Sequence, residues 1–217
     1  LVLINNPWGE SNEHALLDSL KKRNVQAAGV EKFENNDVDV VPQLTRLKQA
    51  GADALFLVAN VAPASQVVKS LDRMGWDVPV VSHWGVSGGR FTELGGPRTE
   101  KVDFIQTFIF AKDQPKKAND LFEKLKSKYG VTSFVDVMPA TGIANSYDAM
   151  HLLAVALANS NPNDGKSVRD ALYKIDKYDG LIKSYTAPFS KENQDALNAK
   201  DYLFAHFVKG EIVPVGK

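Results

Sequence analysis

The chain contains no cysteine. That excludes disulfides, thiolate catalysis and cysteine-based zinc sites. It fits an oxidising compartment, although many proteins of reducing compartments lack cysteine too. An excess of either charge is also missing, since 26 basic residues balance 26 acidic ones. A neutral chain carries no electrostatic footprint for nucleic acid or an anionic membrane. No apolar run approaches the length of a bilayer span. The four histidines, His14, His83, His151 and His206, are scattered. None forms a metal-spaced pair such as H-x-x-x-H. No cofactor is expected.

What remains is an ordinary globular balance of 44% hydrophobic and 24% charged residues over 217 positions. That length suits one large domain or two small ones with a sizeable core. The first hundred residues repeat a strand–helix unit at roughly 25 residues, a spacing that suits βα units with short loops. Strands are expected at 1–5, 26–33, 54–58, 78–82 and 102–110. The helices between them carry apolar stripes: Ala15, Leu16 and Leu20; Val41, Leu44 and Leu47; Val67, Val68, Leu71 and Met74. Asp37 or Asp39 suits a helix cap, Gly51 a helix stop and Pro63 a first helical position.

The rhythm changes after Phe110. Helices are expected at 115–129, 140–159 and 167–176, with little strand between them. Strands return at 182–189, 202–209 and 212–215, with Lys209-Gly210-Glu211 as a hairpin turn. The three helices have apolar faces but no strands of their own to cover, so they need a sheet from elsewhere. The chain also opens directly on the core-like run Leu1-Val2-Leu3-Ile4 with no signal peptide. Sequence upstream of Leu1 is therefore expected to exist in the whole protein.

Catalytic motifs are not found. Gly85-Val86-Ser87-Gly88-Gly89 lacks the Lys-Ser/Thr of a P-loop and the spacing of a dinucleotide fingerprint. Ser82 and His83 are neighbours on a strand and point to opposite faces, so they form no nucleophile–base pair. Glu31-Lys32-Phe33-Glu34 reads as a solvated edge.

Several segments together resemble one family. Leu3-Ile4-Asn5-Asn6-Pro7-Trp8-Gly9-Glu10-Ser11 is similar to the strand and loop opening the second lobe of type I periplasmic binding proteins of the branched-chain amino acid receptor group. Phe33–Asp39 followed by Gln43-Leu44-Thr45-Arg46-Leu47-Lys48, and Ala52–Val58, fit in register. So do Ser82–Ser87, Ala144-Asn145-Ser146-Tyr147-Asp148-Ala149 and the closing Phe204–Val215. Each motif alone is loose, while their order and spacing are fairly specific.

The resemblance implies an α/β fold of two doubly wound parallel-sheet lobes with a hinge and a ligand cleft. Residues 1–109 and 185–217 would form lobe two, and 110–184 the helical remainder of lobe one. It also implies an extracytoplasmic solute-binding component of an ABC importer, not an enzyme. Its partners would be a small-molecule solute and the membrane permease. The location would be periplasmic, or extracellular with a lipoprotein anchor. If the rest of lobe one is lacking, the exposed helices imply self-association. The other readings are a sensor domain of a membrane receptor and a Rossmann-like enzyme.

Ligands of parallel sheets bind beyond the carboxyl ends of the strands. The loops in that position are 6–9, 59–62, 82–87 and the crossing 108–110. Trp8 and Trp84 each offer a stacking face and one N–H donor. Gly9 and Gly85 let backbone approach a ligand. Asn60 and Val61 match ligand-lining positions of the family, His83 is a further candidate, and Thr141, beside Gly142, would line the opposite wall. Each has a plainer role open to it: Trp8 and Trp84 as loop anchors, His83 as a partner of nearby backbone. Tyr147 and Trp76 read as packing residues. The receptors of this group carry an acidic residue that pairs with the ligand ammonium, and here that position falls at Trp84. No carboxylate lies in Ser82–Ser87. A buried ammonium without a counter-charge is costly. An aromatic or other small carboxylate, or an amide, is therefore expected in place of an α-amino acid.

Overall fold

The computed structural model describes residues 1–216 and forms two compact units. The first comprises residues 1–105 and 204–216, and the second Gln106–Leu203. These boundaries differ from the expected ones at 110 and 185. The stretch 185–203, expected with lobe two, belongs to the second unit.

The first unit follows the βα rhythm. Its elements are β1 (Val2–Ile4), α1 (Pro7–Lys21), β2 (Glu31–Phe33), α2 (Val41–Gln49), β3 (Leu55–Val58), α3 (Val61–Arg73), β4 (Val80–Ser82), α4 (Phe91–Gly95) and β5 (Val102–Gln106). A 3-10 turn over Trp84–Ser87 follows β4. The sheet order is β2-β1-β3-β4-β5, then two later strands, β8 (Leu203–Val208) and β9 (Glu211–Pro214). The first five strands pair in parallel, and β8 pairs with β9 antiparallel. Val2, Leu3 and Ile4 are all buried, as a strand covered on both faces requires. The strand order reverses at β1, which has β2 on one side and β3 on the other. A doubly wound sheet binds ligands at the carboxyl ends beside such a reversal.

Local chemistry moved several boundaries. Helix α1 starts earlier than a 6–9 loop allows. Asn6 caps it by accepting from the Gly9 amide at 2.9 Å, and Pro7 occupies its first position. Trp8 and Gly9 thus lie in a helical turn. Helix α3 starts at Val61, so Pro63 is its third residue, still within the turn whose amides need no intrahelical partner. The expected strand 102–110 ends at Gln106, because Phe108 and Phe110 turn into the second unit's aromatic core. The strand at 26–33 contracts to Glu31–Phe33. The hairpin turn carries Lys209 at φ 51° and Gly210 at φ 84°. Two successive positive φ values match the type I′ turn that suits the twist of paired strands.

The second unit holds α5 (Lys116–Tyr129), α6 (Ala140–Ala158), α7 (Gly165–Leu172), β6 (Lys177–Asp179) and β7 (Ser184–Thr186). Gly130, at φ 70°, ends α5. Asp164 caps α7 through the Lys166 amide at 3.0 Å, so this helix starts before Ser167. Strands β6 and β7 pair antiparallel, where one strand over 182–189 was expected. They are the unit's only sheet among the described residues apart from the ends of β5 and β8. Phe110, Val137 and Ala140 form its core with Phe108, Phe122 and Phe134 packed against them. Helix α6 buries Ala144, Leu152 and Ala156 but leaves Met150, Val155 and Leu157 exposed.

Candidate functional site

Three strand-to-helix segments converge at the carboxyl edge of the first unit's sheet, beside the strand-order reversal. One runs from β1 into the first turn of α1 and carries Trp8. The second runs from β3 into α3 and carries Asn60 and Val61. The third follows β4 and carries His83, Trp84 and Gly85. Gly85 is the point of closest approach. A Cβ there would lie 2.8 Å from the Ala59 carbonyl oxygen, 2.9 Å from Asn60 Oδ1 and 3.3 Å from Trp8 Cη2. Only glycine lets the three segments meet.

The rings of this edge touch one another. Trp8 and His83 have centroids 5.3 Å apart with planes at 82°. His83 and Trp84 have centroids 4.8 Å apart at 74°. Both are edge-to-face contacts, the geometry favoured by opposed ring quadrupoles. Trp8 is also anchored, for it packs on the core residues Leu1, Leu3 and Val58. His83 is half-buried, and burial alone lowers its pKa from the ordinary histidine value. Its Nδ1 is sealed from solvent and has no hydrogen-bond partner.

Beside this wall lies a pocket of about 490 Å³ lined by Asn35, Asn36, Asn60, Val61, Ala62, Pro63, Gly85 and Gly88. No lining residue is charged. The carboxamides of Asn35, Asn36 and Asn60 can each donate and accept. The Asn60 side chain does not cap α3, although Asn60 is the cap residue by position. Of these lining residues, the sequence singles out Asn60, Val61 and Gly85. Asn35 and Asn36 stand in the sequence only as part of the resembling segment Phe33–Asp39, and strand order brings them beside Asn60.

Gly9 is buried, and a Cβ on it would stand 1.9 Å from the Ile4 carbonyl oxygen. Its lack of a side chain seats α1 on β1. Thr141 belongs to the second unit and is 3% exposed. Its hydroxyl is 2.5 Å from Gln106 Oε1 and 3.2 Å from the Phe108 carbonyl oxygen. Phe108 and Phe110 pack into that unit's core. Trp76 is buried with Lys48 over its ring. No group of three or more metal-ligating side chains occurs among the described residues. No described helix is long and apolar enough to cross a membrane.

A family model for periplasmic binding proteins matches residues 1–211. Solved structures share the fold. The chain is similar to a type 1 periplasmic binding protein from Bordetella pertussis, with TM-score 0.82, 22% identity, and coverage of 98% of this chain and 59% of that one. A leucine-binding protein from Thermotoga maritima gives TM-score 0.78 at 18% identity, covering 98% of this chain and 59% of that one. A branched-chain amino acid transporter substrate-binding protein from Streptococcus pneumoniae, in complex with isoleucine, gives 0.70 at 21%, with the same 98% and 59% coverage. The chain thus spans less than two thirds of the length of these structures. No curated protein matches it.

Proposed function

The chain belongs to the periplasmic binding protein family, with the type I fold, and we propose that it is a large part of an extracytoplasmic solute receptor. On this reading it captures a small molecule, presents it to the permease of an ABC importer and catalyses nothing. The first unit corresponds to lobe two and the second to the helical remainder of lobe one. The observation that carries the reading is the uncharged edge at the strand reversal, where Trp8, His83 and Trp84 form a ring wall beside the asparagine pocket. Concave, largely apolar surfaces with a few polar groups are what small-solute sites require.

The ligand is an aromatic or other small organic carboxylate, or an amide. Trp84 stands where the family resemblance places the acidic partner of an ammonium group. Indole faces suit a planar ligand, and carboxamides suit neutral or anionic oxygen acceptors. The named neighbours are a leucine-binding protein and an isoleucine complex, so an α-amino acid is the rival to exclude. Calorimetry on the full-length protein tests this with leucine, benzoate and benzamide. Binding of an aromatic probe without leucine is the expected result. Tight leucine binding would overturn the ligand class.

A further inference from the structure

The two ring nitrogens of His83 differ. Only Nδ1 is sealed from solvent without a partner. A neutral imidazole carries its proton on one nitrogen. Placing it on Nδ1 would bury an N–H donor with no acceptor, the rarer and costlier kind of orphan. Placing it on Nε2 leaves Nδ1 as an unsatisfied lone pair and puts the N–H on the ring's other side. The edge-to-face contacts with Trp8 and Trp84 hold the ring in this orientation. The packed elements contribute no counter-charge. The pocket edge is neutral, α1 has only the exposed Glu10 in its first turn, and no charged group adds to the burial that keeps the ring unprotonated.

We propose that His83 is a fixed neutral Nε2–H donor, held between Trp8 and Trp84, with which the site takes an acceptor oxygen of its ligand. This rests on reading the carboxyl edge as the ligand wall. It assigns the hydrogen-bonding sense of that wall. A carboxylate or an amide oxygen can accept this hydrogen bond, and neither adds a proton to the ring, because a second N–H would fall on the sealed Nδ1.

Long-range ¹H–¹⁵N spectra of the 217-residue chain test the donor directly, with His83→Gln used to assign the resonance. The expected tautomer is Nε2–H, with a titration midpoint below that of an ordinary histidine. An Nδ1–H tautomer, or a midpoint at or above the ordinary value, would overturn the proposal whatever binds. On the full-length protein, benzoate and benzamide are each expected to shift the ¹⁵Nε2 resonance and leave the Nε2–H tautomer in place. His83→Phe is expected to weaken both probes about tenfold. His83→Gln, which keeps a donor, should retain both probes better than His83→Phe. A probe that binds without moving either His83 nitrogen sinks the donor role. If calorimetry finds neither probe bound, the ligand class fails, and the tautomer spectrum still decides the donor.

Discussion

A Cβ on Gly9 would stand 1.9 Å from the carbonyl oxygen of Ile4. The obstacle is backbone, which cannot rotate aside as a flexible side chain does. The first turn of α1, and with it Trp8, is seated on β1 through this contact. Gly9→Ala is expected to cost more than about 2 kcal/mol by forcing the helix off the strand. Urea denaturation measures the loss, and an unchanged midpoint would refute the contact.

Asp148 ties α6 to the β6–β7 turn. Its carboxylate accepts from Leu181 N at 2.5 Å, Ile182 N at 3.0 Å and the Tyr185 hydroxyl at 2.9 Å. The residue is 1% exposed. Asp148→Ala strands three donors and is expected to cost about 3 kcal/mol, against about 1 kcal/mol for Tyr185→Phe. Equal costs in denaturant titrations would contradict this division. The same contact helps burial raise the Tyr185 pKa above the usual tyrosine range.

Stability should depend on pH through His83. Its pKa is lowered in the folded state, so below the ordinary histidine value the unfolded chain binds the extra proton. The contribution is complete above about pH 6.5 and is lost as pH falls toward the folded value. Thermal melts from pH 7.5 to 5 should show wild type losing more stability than His83→Gln. Parallel curves would exclude the effect.

Trp84→Glu restores a carboxylate where the family resemblance places one. In calorimetry on the full-length protein, the variant is expected to gain leucine affinity and lose affinity for benzoate, because two negative charges then share the edge. No gain for leucine would show that Trp84 does not occupy the ammonium subsite.

Met150, Ala154 and Leu157 share one exposed side of α6, as their i, i+4, i+7 spacing requires. Burying that side favours association of the 217-residue chain. Sedimentation at rising concentration should reveal it, and Leu157→Lys should reduce it. A monomer at all concentrations would refute the expectation.

Much of the fold was legible in the sequence because local physics wrote it there. The run Leu1-Val2-Leu3-Ile4 and the stripe Val67, Val68, Leu71 state burial and period directly. Gly51, Gly130 and Lys209-Gly210 mark turns through backbone freedom. The motif order from Trp8-Gly9 to Lys209-Gly210 indicated the family, and the site loops followed from strand ends. What the tertiary structure alone decided was contact across sequence distance. Asn35 and Asn36 join Asn60 in one pocket because β2 and β3 flank β1. Gly9 and Gly85 are glycines because Ile4, Ala59 and Asn60 stand against them. Thr141 meets Gln106 across 35 positions of sequence. His83 meets two indoles, 76 positions apart in sequence, at one ring. Periodicity reports which face of an element is buried, but not which residue of another element meets it.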